Sequence, residues 1–283
     1  MKDAFFNDKV AVITGAGGTL CSVIAKDLAK LGVKVALVGR TKEKLDRVAS
    51  EISSDGGAAM VVPADVTDHD RLVRARDEIE SRLGTCSFLV NGAGGNQNEA
   101  VTSVSEFVPE ELGPDRDENL RGFFNLDMSV CSRVIQTNTI GTMVPCRVFG
   151  RDMAMADGGA IVNFASITSY QPLSRVPAYA AAKAGILNFT QWLAAYLAPA
   201  QIRVNAVAPG FFPSHRNRDL LLERDGSRTP RGESILRQTP LKRFGQAEEL
   251  LGCVRWLLDD RASGFVTGIT VPVDGGFLSC PGI

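Results

Sequence analysis

Lys9-Val10-Ala11-Val12-Ile13-Thr14-Gly15-Ala16-Gly17-Gly18-Thr19-Leu20-Cys21 is the stretch on which the fold turns. Lys9 to Ile13 is a short β-branched apolar run that stops at the glycine-rich segment, and from Leu20 to Leu31 apolar residues recur at helical spacing until Gly32. Strand, glycine turn and helix in that order let backbone N–H groups approach a pyrophosphate while the helix N-terminus supplies positive dipole. Gly15, Gly17, Gly18, Thr19 and Leu20 are therefore the candidate phosphate contacts. The spacing departs from Gly-x-Gly-x-x-Gly, because Thr19 and Cys21 stand where glycines are expected, and an ordinary tight turn is the competing reading.

Working outward, the same rhythm repeats. Val33 to Val38 reads as a second buried strand and Lys42 to Ser53 as an amphipathic helix closed by Gly56-Gly57. Ala59 to Pro63 reads as a third strand, with Thr67 as N-cap of a charged helix ending at Gly84. Ser87 to Val90 is a strand running into Asn91-Gly92-Ala93-Gly94-Gly95. After residues 96 to 126 come a long helix near Asp127 to Met153, a strand from Gly159 to Phe164 and an Ala-rich helix over 178 to 197. A strand from Ile202 to Ala208 ends in Pro209-Gly210; residues 211 to 243 look irregular, and a helix (Gln246 to Leu258) and a strand (Thr270 to Val273) follow. Alternating strands and helices with no linker predict one α/β domain over residues 1–283, a parallel sheet of about seven strands with helices on both faces.

Two segments interrupt that pattern. Residues 96 to 126 are acidic and rich in turn formers, and read either as an excursion bordering the active site or as a tolerated surface insertion. Residues 211 to 243 carry eight basic against four acidic side chains, a local +4 in a chain of net charge −1.

Composition narrows the function. Lys plus Arg of 31 against Asp plus Glu of 32 suggests neither a nucleic-acid nor a membrane-surface partner. Six scattered cysteines without a Cys-x-x-Cys pair, and two histidines, argue against a zinc site and a disulfide framework, so no metal is expected. Neither a signal peptide nor a membrane span is readable, which predicts a reducing, cytoplasmic setting. His69 is expected to face solvent at a helix start, and His215 to be a loop residue.

The chemistry concentrates at Tyr179-Ala180-Ala181-Ala182-Lys183, with Ser166 thirteen residues upstream. On a helix, positions 179 and 183 share one face. A phenol is a poor proton shuttle at neutral pH unless a cation stabilises its phenolate. A lysine about 5 Å away, at an effective dielectric of about 20, contributes on the order of 3 kcal/mol, roughly two pKa units. Taken alone, Tyr-x-x-x-Lys is only a helix face.

The residue after the second strand chooses the dinucleotide. A carboxylate there would bind the ribose 2′-hydroxyl of NAD, whereas an arginine suits the 2′-phosphate of NADP. The chain has Gly39-Arg40, which favours NADP(H) over NAD(H), with a solvated charge as the alternative. Asp65, followed by Val66, either faces the adenine or caps the next helix at Thr67; adenine is the expectation.

Thr14-Gly15 with Gly17-Gly18, Asp65, Asn91-Gly92-Ala93-Gly94, Asn138, Ser166, Tyr179, Lys183, Asn205 and Pro209-Gly210 together resemble the short-chain dehydrogenases/reductases from about residue 8 to 278. The resemblance implies a single-domain doubly wound Rossmann fold of about seven parallel strands, and hydride transfer between a nicotinamide and a carbonyl or alcohol carbon. It implies that Tyr179 transfers the proton, Lys183 lowers its pKa and holds the nicotinamide ribose, Ser166 binds the substrate oxygen and Asn138 supports a water relay. It also implies cofactor contacts at Asn91, Gly92, Ala93, Gly94, Pro209, Gly210 and Phe212, and a homotetramer.

Cys21, the Ala93-Gly94-Gly95-Asn96 run and Ser263-Gly264-Phe265-Val266-Thr267-Gly268 are similar to one subgroup, the short-chain type of D-mannonate oxidoreductase (fructuronate reductase). That likeness implies a sugar-acid substrate, with Arg216, Asn217 and Arg218 in the covering segment 211–243 suited to a carboxylate and hydroxyls. Gluconate-type and 3-oxoacyl thioester substrates are the alternatives within the family. A dinucleotide-sensing binding protein would need only the cofactor half.

Overall fold

The computed structural model describes residues 3–156, 158–214 and 217–280. Seven parallel strands form one sheet: β1 Val10–Thr14, β2 Lys34–Gly39, β3 Ala59–Pro63, β4 Cys86–Asn91, β5 Gly159–Phe164, β6 Ile202–Pro209 and β7 Thr270–Val273, in the order β3-β2-β1-β4-β5-β6-β7. The helices between them are α1 Thr19–Lys30, α2 Lys42–Ser54, α3 His69–Leu83, α4 Met128–Ile135, α5 Gly141–Met155, α6 Pro177–Leu197, α7 Arg218–Leu221, α8 Pro230–Gln238, α9 Leu251–Leu258 and α10 Asp260–Ser263.

Strand residues of alternating parity serve two cores. Ala11, Ile13, Val35, Leu37, Phe88 and Val90 pack on α1, α2 and α9 through Ile24, Leu28, Leu45, Ile52, Val254 and Leu257. Val10, Val12, Ala36, Val38 and Leu89 pack on the other side against Leu72, Ile79, Phe149, Met153 and Leu193 of α3, α5 and α6. A sheet buried on both faces explains why the strands read as continuous apolar runs rather than alternating ones.

All strands point the same way, so Thr14, Gly39, Pro63, Asn91, Phe164, Pro209 and Val273 end at one edge. The chain leaves β1 toward β2 and β3, then returns to β4 on the other side of β1. That reversal opens a crevice at the carboxyl ends of β1 and β4, the usual ligand position in such sheets.

Three local expectations are corrected. Asp68, not Thr67, caps α3, its carboxylate accepting from Arg71 N at 2.9 Å; Thr67 donates its N–H and hydroxyl to Asp65 instead, at 2.9 and 2.7 Å. The helix expected near 127 to 153 is two helices separated by a π turn, Gln136–Ile140. There the Asn138 side chain donates to Val134 O at 2.8 Å, meeting a carbonyl that a backbone N–H four residues on would otherwise meet.

The 211–243 segment is not wholly irregular. Thr229 Oγ1 accepts from Gly232 N at 3.0 Å and Pro230 opens α8. A threonine N-cap followed by proline at the first helical position is a start signal that the sequence displays.

The 96–126 excursion is built from 3-10 turns at Asn98–Ala100, Pro109–Leu112 and Phe123–Asn125. It is tied to the loop before α6 by reciprocal bonds, Thr102 N to Arg175 O at 3.0 Å and Arg175 Nε to Thr102 O at 2.6 Å.

Candidate active site

The floor of the crevice is made by two strand ends in close contact. Ala93 N donates to Thr14 Oγ1 at 3.2 Å. Gly15 has φ +67°, and a Cβ there would lie 2.8 Å from Ala93 N, so both its conformation and its neighbour require glycine. A Cβ on Gly92 would overlap the Cys21 sulfur. Cys21, standing at an expected glycine position, is buried and fills the space Gly92 leaves.

The opening turn of α1 suits an anion. Its N-cap, Gly18, offers no side-chain acceptor, and no acidic residue occupies the first turn. The N–H groups there are free of side-chain caps and lie at the positive end of the helix dipole. Gly15, Gly17, Gly18, Thr19 and Leu20 therefore fit a pyrophosphate.

Beyond it, Asn138 is fully buried and its side chain clamps the loop after β4. Its Oδ1 accepts from Gly95 N at 3.0 Å and its Nδ2 donates to Gly95 O at 2.7 Å. A Cβ on Gly94 would come within 2.5 Å of Asn138 Oδ1 and 3.5 Å of Lys183 Nζ, so this glycine keeps the clamp and the lysine close together. With its side chain committed to Gly95 and Val134, Asn138 positions the loop.

Ser166, Tyr179 and Lys183 come together as the spacing predicts. Ser166, buried beyond β5, accepts from Thr168 N at 3.2 Å through Oγ, and its hydroxyl is close enough to influence the Tyr179 phenol. Lys183 Nζ lies 5.8 Å from the Tyr179 ring centroid and donates to Phe164 O at 2.6 Å.

The electrostatic balance differs from the expectation. Burial pushes the Tyr179 phenol above its ordinary value, and the Ser166 hydroxyl only partly offsets it. Burial brings Lys183 down to about 8, with nearby Cys21 working weakly the other way. A lowered Tyr179 pKa is thus not found: the ammonium is directed at the Phe164 carbonyl, and desolvation of the phenol dominates. The phenol is consequently protonated at neutral pH. Two groups that engage these side chains, the Gly95 peptide and the Phe164 carbonyl, belong to the backbone and leave no trace in residue identities.

At the adenosine end, Arg40 is exposed and loosely paired with Asp65, at 3.9 Å. Burial tends to raise the Asp65 carboxyl, but the two Thr67 hydrogen bonds and Arg40 outweigh it, so it stays ionised to lower pH than usual. Asp65 thus serves the Thr67 turn. Val66 is buried against Gly141.

At the far end, Gly210 N donates to Val273 O at 2.9 Å. The Phe212 ring is buried and packs against Gly245. Asn217 holds its own loop: its Oδ1 accepts from Ser214 N and Oγ and its Nδ2 donates to Phe212 O, bonds that use the amide oxygen and one of its two N–H groups. Arg218 is exposed, and His215 and Arg216 lie outside the described residues.

A doubly wound parallel sheet with a glycine turn at its switch point, and with serine, tyrosine and lysine gathered at the carboxyl edge of β5, defines a dinucleotide-dependent oxidoreductase. Residues 9–224 match the family model described as short chain dehydrogenase, and the chain belongs to that family. It is 47% identical over 275 residues to an uncharacterized oxidoreductase, UxuB, of Bacillus subtilis, covering 97% of this chain and 96% of that protein. A solved structure from Haemophilus influenzae with bound NAD, provisionally called a D-mannonate oxidoreductase, is 42% identical with a TM-score of 0.91, covering 98% of this chain and 97% of that one. A gluconate 5-dehydrogenase of Burkholderia cenocepacia, solved with NADP and tartrate, is 28% identical with a TM-score of 0.80, covering 97% and 98%.

Proposed function

We propose that this short-chain dehydrogenase interconverts a keto and a hydroxy group on a sugar acid, D-fructuronate and D-mannonate being the leading pair. The observation that carries the reaction class is the gathering of Ser166, Tyr179 and Lys183 at the crevice, with Lys183 Nζ 5.8 Å from the Tyr179 ring centroid. Support for the substrate comes from the name given to the Haemophilus structure and from the basic segment between β6 and β7. The gluconate 5-dehydrogenase likeness favours gluconate-type substrates as the second reading.

A bound nicotinamide supplies or accepts the hydride. In our reading, Ser166 orients the substrate oxygen, and Tyr179 delivers a proton to it during reduction or removes one during oxidation. Lys183 brings positive charge to that oxygen and to the nicotinamide ribose. The chain is expected to act as one domain of a cytoplasmic homotetramer. An exposed aromatic ladder on α6, with Trp192 stacked on Tyr196 at 5.1 Å between centroids, supports association.

A panel of D-fructuronate, 5-ketogluconate and an acetoacetyl thioester, each with both reduced dinucleotides, tests this. Turnover fastest on D-fructuronate is expected; no turnover of either sugar acid would sink the proposal.

Among the described residues on the second strand's exit, Arg40 is the group suited to a 2′-phosphate, and on it rests the preference for NADP(H). The Haemophilus structure binds NAD, which does not favour that preference. Arg40→Ala is expected to weaken NADPH binding about tenfold or more while leaving NADH nearly unchanged, since a hydrogen bond to a charged group contributes roughly 1.5–3 kcal/mol. Equal losses in a fluorescence titration would remove the 2′-phosphate role.

A further inference from the structure

A concavity of about 220 Å³ lies between the loop after Ser166 and α8. One wall is the loop 171–174, which joins Ser166 to Tyr179 along the chain and contributes Gln171 and Ser174. The opposite wall is α8, contributing Arg231 and Gln238, with Phe211 and Phe277 closing the sides. An apolar-flanked pocket with a few convergent polar groups, walled by the loop that carries the chain from Ser166 to Tyr179, has the form of a substrate subsite.

Its charge is unusual. Arg231 is half-buried, and among the described residues no carboxylate pairs with it and no acceptor takes its hydrogen bonds. The neighbouring acid on α8, Glu233, is instead 3.3 Å from Arg228. Arg175 adds a second positive charge close enough to be felt at Arg231. The Arg175 backbone has φ +74°, uncommon for a residue with a side chain, and is held there by its two bonds to Thr102 of the 96–126 excursion.

None of this favours folding. A partly desolvated cation beside a like charge is destabilising, and Arg231 sits in the first turn of α8, where the helix dipole also opposes a cation. An arginine placed against local energetics on the wall of a pocket needs an anion to complete it.

We propose that Arg231, reinforced by Arg175, is the group that recognises the carboxylate of the substrate. The proposal rests on the keto-acid reading above and adds a site to the recognition expected at Arg216–Arg218. A planar guanidinium can hold a carboxylate through two parallel hydrogen bonds. The excursion gains a purpose, since Thr102 fixes the backbone that carries the second charge.

The test compares an acid with its neutral counterpart. D-fructuronate and D-fructose differ in bearing a carboxylate or a hydroxymethyl group at one end, so the ratio of their kcat/KM values reads carboxylate recognition directly. Arg231→Gln is expected to lower that ratio roughly 30-fold, the loss appearing in KM for the acid, as for a charge-assisted hydrogen-bonded pair. Arg231→Lys should recover part of it. Thermal stability of Arg231→Gln should not fall, because the side chain has no structural partner to lose.

Calorimetric binding of D-mannonate to the dinucleotide complex gives a second readout. If wild type binds and turns over sugar acids and Arg231→Gln does so equally well, this inference is overturned and the keto-acid reading stands. Equal losses for acid and neutral ketose would also overturn it, by showing a structural role. If wild type neither binds nor turns over any sugar acid, the keto-acid reading itself has failed and takes this inference with it.

Discussion

Tyr179→Phe is expected to lower kcat by about 10³-fold, within the span that a positioned general acid or base contributes, while dinucleotide affinity is unchanged. The substitution removes the hydroxyl beside Ser166 and keeps the ring, so no packing is lost. Absorbance of the reduced nicotinamide measures turnover, and fluorescence titration measures binding. Activity surviving within tenfold of wild type would refute the assignment of Tyr179 as proton donor.

The direction of the Tyr179 shift adds a pH signature. Because burial raises the phenol's pKa, its protonated form persists to higher pH than in a free tyrosine. Carbonyl reduction, which consumes that proton, should be well supported at neutral pH. Alcohol oxidation, which needs the phenolate, should climb throughout the alkaline range. An oxidation profile already flat at neutral pH would show that a bound partner overrides the burial of the phenol.

Lys183→Met should abolish most of the activity and also change how stability depends on pH. Burial brings the lysine from an ordinary 10.5 to about 8. Below pH 8 both folded and unfolded chains hold the proton, and the full cost of burying the ammonium applies. Between about 8 and 10.5 the folded chain releases its proton first, so the unfolded state binds more protons and wild-type stability rises with pH.

That rise amounts to about 3 kcal/mol over the window, converting the shift at 1.36 kcal/mol per unit. The methionine variant should lack it. Its absolute stability at pH 7 combines two opposed effects: relief of that burial cost, and loss of the bond to the Phe164 carbonyl, roughly 1–3 kcal/mol. Urea unfolding at pH 7, 9 and 10.5 resolves the two, and parallel curves for wild type and variant would mean that Lys183 is not held near 8.

Much of the fold is legible in residue order. Gly159 to Phe164 coincides with an observed strand because a strand buried on both faces must be apolar throughout, and Ala59 to Pro63 and Thr270 to Val273, the partly buried edge strands, coincide because turn residues bound short apolar runs. The break between α4 and α5 is hidden, since it depends on where the Asn138 amide finds acceptors, on Gly95 as well as its own helix. That the Asn217 amide closes its own loop through Ser214 and Phe212 is likewise hidden in the residue order.

Residue identities and spacing alone determine the α/β class, the glycine turn and the Tyr179–Lys183 pair, because each depends on chain-local geometry: a period of two or 3.6, or one helical turn. Tertiary structure alone decides what those groups experience. Cys21 against Gly92, the raised phenol, the lysine directed at Phe164 and the unpaired Arg231 facing Gln171 all arise from burial and from contacts between segments distant in the chain. Desolvation and pairing are properties of the folded surroundings, and they decide whether a charge is solvated, structural or ready to bind.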